Sequence, residues 1–184
     1  AHFAIQTLNT NFKSSLPVIP FKIPNTKLFL STEYAVFFLG ASTTFKMWPI
    51  DSFLNIVSVI QCPNIVLGGS KNEQHLSQTF IDAYKGDKII LDLVGKTTLL
   101  ELIHVISDAS IVITNDTSAS HIAVATRTPS VCLLGGGHYG RFHPYQVKNI
   151  NEGDKKFLPV VVTARDKSCF NCNWKCKYPL QNER

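Results

Sequence analysis

The sequence contains no apolar run approaching the roughly 18 residues that a membrane-spanning helix requires, and no basic-then-apolar opening segment of the secretory type. The expectation is therefore a cytoplasmic protein, with peripheral contact at the inner face of the inner membrane as the closest approach to lipid. Charge is sparse, at 17% of 184 residues against 45% hydrophobic, which excludes a disordered chain and fits an ordinary globular domain. The glycine signatures of two large nucleotide-binding classes are missing. No G-x-G-x-x-G follows the first apolar run and no G-x-x-x-x-G-K-[ST] occurs, which weakens dinucleotide and P-loop readings. Eighteen Lys and Arg against thirteen Asp and Glu give a formal charge of +5. No zinc-finger spacing, RNA-binding signature or Arg-rich run accompanies it, so nucleic acid is not expected as a partner; phosphate-bearing ligands fit the excess. Five cysteines, an odd number, argue against a secreted disulfide framework. Cys62 and Cys132 sit in or beside apolar segments and read as small buried hydrophobes.

What is present is a regular alternation. Residues 1–33 carry Pro17, Pro20 and Pro24 without a sustained period, and read as a linker or the remnant of a preceding lobe; the opening Ala1 suggests a fragment. From residue 34 to 145, short apolar runs alternate with helical stripes. The runs are Ala35 to Leu39, Asn64 to Leu67, Ile89 to Leu91, Ile111 to Ile113 and Val131 to Leu134. Between the first two, Ile50, Phe53, Leu54, Val57 and Ile60 recur at helical spacing behind Pro49, predicting a helix from Ile50 to Gln61. A polar helix is expected over residues 71–84. Thr98 and Glu101 form a capping-box pattern ahead of Leu102, Ile103 and Ile106. Five such strands predict an α/β fold: a Rossmann-like parallel sheet with helices on both faces. Residues 146–184 form a less regular extension in which Val160 to Val162 is a candidate sixth strand.

Ligands of open parallel sheets bind beyond the carboxyl ends of the strands, where helix N-termini favour anions. Gly40 to Pro49, Gly68 to Glu73, Gly95 to Thr98, Asn115 to His121 and Gly135 to Arg141 occupy that rim. Taken singly, each loop is ordinary turn chemistry. Taken in order, the K-x-W-P element of Lys46, Trp48 and Pro49, the Gly68-Gly69 turn with Glu73, and Asp116-Thr117-Ser118 with His121 resemble glycosyltransferase family 9. The likeness is to the C-terminal, donor-binding lobe of its heptosyltransferases.

That resemblance implies a two-lobed GT-B architecture and transfer of a heptose from an ADP-sugar to a lipopolysaccharide core or other lipid-linked acceptor. It further implies inversion at the anomeric centre, no catalytic metal, and a general base on an N-terminal lobe expected to be missing from this chain. It places Lys46 against the pyrophosphate, where its charge offsets that on the departing nucleotide. Thr117 and Ser118 would offer helix-opening amides to phosphate, with Ser118 standing where the family often has Gly. Asp116 would meet sugar hydroxyls, His121 a phosphate or the sugar, and Glu73 the ribose. Ser42 and Thr97 would add hydrogen bonds, and Arg141 could steady phosphate. Trp48 reads as core packing that orients its loop.

Cys169, Cys172 and Cys176 form a C-x-x-C-x-x-x-C tail pattern. Ordinary thiols are the expectation. A structural zinc or iron–sulfur centre is the alternative, requiring a fourth ligand from His138, His143 or a partner chain. The competing functional classes are a nucleotide-sugar-binding module that never catalyses, and a family 9 transferase using another nucleotide sugar.

Overall fold

The computed structural model describes residues 16–19, 33–147, 150, 152–166 and 168–173. Six strands form one sheet: β1 (Tyr34–Phe38), β2 (Asn64–Gly68), β3 (Ile89–Asp92), β4 (Ile111–Asn115), β5 (Ser130–Leu133) and β6 (Val160–Val162). Their spatial order is β3-β2-β1-β4-β5-β6, and every pairing is parallel. Four helices fill the crossovers: α1 (Ile50–Val57), α2 (Gln74–Ala83), α3 (Leu99–Ser107) and α4 (Ser118–Ala125). A short α5 (Glu152–Lys155) precedes β6. The order reverses between β1 and β4, which is the switch point where such sheets hold ligands.

Continuous apolar strands fit this architecture because both faces are covered. All five residues of β1 are buried, as are all five of β2. On one face Ala35, Phe37 and Leu39 meet Phe53 and Val57 of α1 and Phe80 of α2. Phe37 lies with its ring centroid 5.8 Å from Phe53 and 6.2 Å from Phe80. On the other, Val36, Phe38, Val66 and Val112 pack on Val105 and Ile106 of α3 and on Ala119 and Ala123 of α4. Burying each large side chain here contributes about 1.5–3 kcal/mol. Small residues let α4 lie close to the sheet, which brings its N-terminus up to the rim.

Two expected helices differ in extent. α1 ends at Val57, not Gln61, because Ile60 folds back towards the core in a turn ahead of Pro63. The second expected helix opens with a 3-10 turn, Lys71–Glu73, since Ser70 and Glu73 cap each other before α2 begins. The candidate sixth strand is present. β6 pairs with β5, and Leu134 N–H donates to Val162 O at 2.8 Å. Upstream of the sheet, the backbone of residues 16–19 lies on α4, with Ile19 N–H donating to Ala125 O at 3.4 Å and Leu16 buried.

Candidate functional site at the carboxyl rim

A cavity of about 270 Å³ opens at the switch point, lined by the ends of β1 and β2, the start of α3 and the start of α4. Glu73, Thr97, Thr117 and Ser118 all contribute to its wall. Glu73 is fixed by its capping box: Ser70 donates its backbone N–H to Glu73 Oε2 at 2.6 Å and its hydroxyl at 2.7 Å. The other carboxylate oxygen occupies the space in front of Gly40, where a Cβ would come within 1.8 Å of it. Thr97 is delivered by a turn that only glycine suits. Gly95 has φ +69°, a Cβ there would stand 2.7 Å from Lys71 Cα, and its N–H ties the end of β3 to Gly69 O at 2.9 Å. Thr98 then caps α3, accepting from Glu101 N–H at 3.3 Å. Thr117 caps α4, accepting from Ala119 N–H at 3.4 Å. Two helix N-termini thus flank the cavity, with amides that have no partner inside their helices.

Beside the cavity, Lys46 Nζ lies 3.2 Å from Asp116 Oδ2, and both side chains are largely buried. Lys46 comes from the 3-10 turn Thr44–Lys46, and Asp116 from the residue after β4. Asn115 holds these two loops together. Its side chain donates to Leu39 O at 2.9 Å and Gly40 O at 3.2 Å, and accepts from Trp48 N–H at 2.9 Å. Trp48 in turn packs its ring 5.2 Å from Phe53, anchoring the Lys46 loop in the core as expected.

Behind Asp116 the rim is polar, with His143 buried and His121 and Tyr145 half-buried. The loop after β5 returns His143, wholly buried, to α4, where its Nε2 lies 2.8 Å from Ser120 Oγ. His121 stacks on His143 with centroids 4.7 Å apart and planes 9° from parallel, and its Nδ1 lies 2.5 Å from Tyr145 Oη. Burial pushes His143 down to about 4, reinforced by the charge His121 would carry and opposed by Asp116. His121 is also pushed below the usual imidazole value, by burial against the pull of Asp116. Burial raises the Cys132 thiol to about 12, with Asp116 adding to it. Both imidazoles are therefore neutral at physiological pH.

Among the described residues, one group of three potential metal ligands gathers within 4.8 Å: Asp116, Cys132 and His143. Asp116 is also ion-paired to Lys46, and His143 Nε2 lies against Ser120 Oγ while its Nδ1 is buried without a hydrogen-bond partner among the described residues. Neither Cys169 nor Cys172 belongs to that group. They are half-buried free thiols on a turn whose Asn171 N–H donates to Gly136 O at 3.0 Å; Phe170 packs against Gly136. Cys176 lies outside the described residues.

Of the residues singled out from sequence, the structure brings Glu73, Thr97, Thr117 and Ser118 into one cavity, with the Lys46–Asp116 pair beside it. His121 sits one turn further along α4, against His143 and Tyr145 and outside the cavity wall. Ser42 is exposed on the loop before the 3-10 turn and does not line the cavity. Arg141 is exposed, its guanidinium 5.1 Å from the ring centroid of Phe142, also outside the cavity wall. Asn115, Ser120 and Tyr145 had no role assigned from sequence. Asn115 alone had a signal, as a polar residue closing an apolar strand.

A doubly wound parallel sheet whose switch point carries two helix N-termini, a carboxylate and, beside them, a lysine is a Rossmann-like lobe. The family model described as glycosyltransferase family 9 (heptosyltransferase) matches residues 6–159, and the chain belongs to that family. Lipooligosaccharide heptosyltransferase 2 of Haemophilus influenzae is 28% identical over 94 residues, covering 49% of this chain and 27% of that protein. The solved ADP-heptose lipopolysaccharide heptosyltransferase II of E. coli superposes with a TM-score of 0.60 at 20% identity, over 75% of this chain and 40% of that one. A dodecameric glycosyltransferase of enterotoxigenic E. coli, TibC, described as iron-containing, superposes with a TM-score of 0.55 at 18% identity, over 85% of this chain and 36% of that one. The chain thus spans well under half the length of the relatives it matches. Among the described residues no helix is long and apolar enough to cross a membrane.

Proposed function

We propose that this chain is the donor-binding half of an inverting, metal-independent glycosyltransferase that moves a heptose from an ADP-sugar to a lipopolysaccharide core or lipid-linked acceptor. The observation that carries this reading is the convergence of Glu73, Thr97, Thr117 and Ser118 on one rim cavity beside the Lys46–Asp116 pair. The acidic wall suits ribose hydroxyls. The two helix N-termini and Lys46 suit a pyrophosphate. During transfer, negative charge grows on the departing nucleotide diphosphate. Lys46, held by Asp116 in a partly desolvated position, offsets that charge where it is worth more than in water. Asp116 keeps one carboxylate oxygen for sugar hydroxyls. The heptosyltransferase relatives support the donor class, and their greater length supports a general base and acceptor surface on a second lobe. In this reading the 184 residues alone bind donor and transfer no sugar, because positioning and base catalysis each contribute orders of magnitude. The protein works at the cytoplasmic side of the membrane that holds its acceptor.

A metal has no step in this scheme. Cys169, Cys172 and Cys176 serve as tail thiols, and metal content near background after anaerobic purification is the expected result; near-stoichiometric zinc or iron would make them a structural centre. Calorimetric titration tests the donor reading. ADP is expected to bind more tightly than UDP or GDP, and Lys46→Ala to weaken ADP more than adenosine. Tighter binding of a uridine or guanosine nucleotide would overturn the donor assignment.

A further inference from the structure

Three side chains of different chemistry converge behind the cavity. Cys132 of β5 stands opposite Thr114 of β4 in the parallel ladder, and Asp116 follows Thr114 by two positions, so both reach the same side of the sheet. The loop after β5 closes on itself, with Gly140 N–H donating to His143 O at 2.7 Å, and returns the His143 imidazole to the same place. A carboxylate oxygen, a thiol and an imidazole nitrogen thus lie within 4.8 Å of one another, and all three residues are buried. The donor site makes no use of Cys132 or His143. A polar atom buried with no partner carries the cost of a lost hydrogen bond and calls for an occupant. His143 Nδ1 is in that position among the described residues.

We propose that Asp116, Cys132 and His143 form a site for a thiophilic divalent ion of the zinc class, taken up from solution, which competes with the donor for Asp116. Thiolate and imidazole select zinc and its neighbours over magnesium and calcium, which take oxygen ligands. A carboxylate, a thiolate and a neutral imidazole balance a double positive charge, so the complex leaves no net charge in the interior. On coordination the Cys132 S–H gives its proton to solvent and a metal–sulfur bond forms, with no exchange of electrons. Bonds of about 2.0–2.3 Å place ligand atoms about 3.3–3.8 Å apart around a tetrahedral ion, so the group closes with movements on the order of 1 Å. Three protein ligands leave the fourth position to water. Outer partners are already present. Ser120 Oγ lies 2.8 Å from His143 Nε2, and Lys46 Nζ lies 3.2 Å from Asp116 Oδ2, the kind of contact that orients metal-bound imidazoles and carboxylates. Of the three ligands only Asp116 keeps exposure, at 7%, which sets the side of entry. The competition rests on the donor-site reading, in which Asp116 also meets sugar hydroxyls; the ion takes no part in transfer.

Cobalt(II) and zinc titrations of the full chain test the site. The chain carries Cys169→Ser, Cys172→Ser and Cys176→Ser, so that the tail thiols cannot answer for Cys132. One equivalent of cobalt is expected to give the near-ultraviolet absorption of a thiolate–cobalt bond, and zinc to displace it. Cys132→Ser should abolish that band. Asp116→Asn and His143→Gln should each weaken zinc by at least about a hundredfold, since outer partners alone are worth ten- to hundredfold. Circular dichroism identifies a variant that has not folded, and any one folded variant of the three decides the matter. Absence of the band in the triple-serine chain overturns the proposal, as does its survival in folded Cys132→Ser or an unchanged zinc affinity in Asp116→Asn or His143→Gln. The competition is read separately, as a loss of ADP-heptose binding at saturating zinc, expected to be about tenfold in the triple-serine chain and absent once Cys132→Ser is added. Chelation of zinc by the nucleotide acts on both proteins alike, so equal losses would overturn the competition. A chain that shows the cobalt band and binds no ADP would sink the donor reading alone and leave the metal site standing.

Discussion

The two halves of the rim are built from the same kinds of residue and do opposite things with them. In the open half, Ser70, Glu73, Thr98 and Thr117 spend their side chains on helix caps, and a cavity remains between them. In the closed half, Ser120, His121, His143 and Tyr145 bond and stack with one another. The difference lies in what returns to the sheet. After β2 and β3 the chain turns directly into helices, leaving their N-termini exposed. After β5 it makes a long excursion through Gly135 to Tyr145 that folds back over α4. An open rim receives a ligand. A closed rim holds its imidazoles where burial disfavours their charged forms.

Asn115 is the seam between the halves, and breaking it should have the largest effect. Asn115→Ala strands two carbonyls and the Trp48 amide in a buried position, at an expected cost of about 2–4 kcal/mol in chemical denaturation. A loss below about 0.5 kcal/mol would mean that the halves are held together elsewhere.

Acid should separate them next. His143 folds with its imidazole near 4, below the ordinary value of 6.5, so between those values the unfolded chain binds more protons. Stability attributable to this ring is complete above about pH 6.5 and falls as pH drops towards 4, by about 2–3 kcal/mol. The depressed His121 adds in the same sense. Thermal melts of wild type and His143→Asn across this window should show a shallower acid slope in the variant. Parallel slopes would place the sensitivity outside the closed half.

The gentlest change belongs to the open half. In Gly40→Ala the three atoms nearest the new Cβ all belong to the flexible end of Glu73, so stability should change by less than about 1 kcal/mol while the carboxylate leaves its place. ADP affinity is expected to fall about tenfold, the worth of one charge-assisted hydrogen bond. Unaltered affinity would remove Glu73 from the ligand's surroundings.

The open half was legible in the sequence for a physical reason. Its residues lie within a few positions of strand ends, and caps and glycine turns are local: Thr98 with Glu101, and Ser70 with Glu73, declare themselves at three-residue spacing. The strands read equally well, since a sheet covered on both faces needs uninterrupted apolar runs, and even the three-residue β6 was visible as Val160 to Val162. The closed half was not legible. His143 meets Ser120 across 23 positions and Tyr145 meets His121 across 24, through a loop whose path no local pattern specifies. Ser42 and Arg141 show the converse. Each is of the right type in a rim loop, yet its loop leaves it exposed and away from the cavity wall.

The central claim is that ligand enters the open half of the carboxyl rim. A second and larger cavity, about 500 Å³, lies at the opposite end of the sheet among Leu54, Tyr84 and Lys88, so the two locations are well separated. Backbone amide chemical shifts of the labelled chain, followed during titration with ADP, discriminate between them. The account predicts that the shifts concentrate on Gly40, Glu73, Thr97, Thr117 and Ser118, with Leu54, Tyr84 and Lys88 unmoved; shifts centred on the latter three would contradict it.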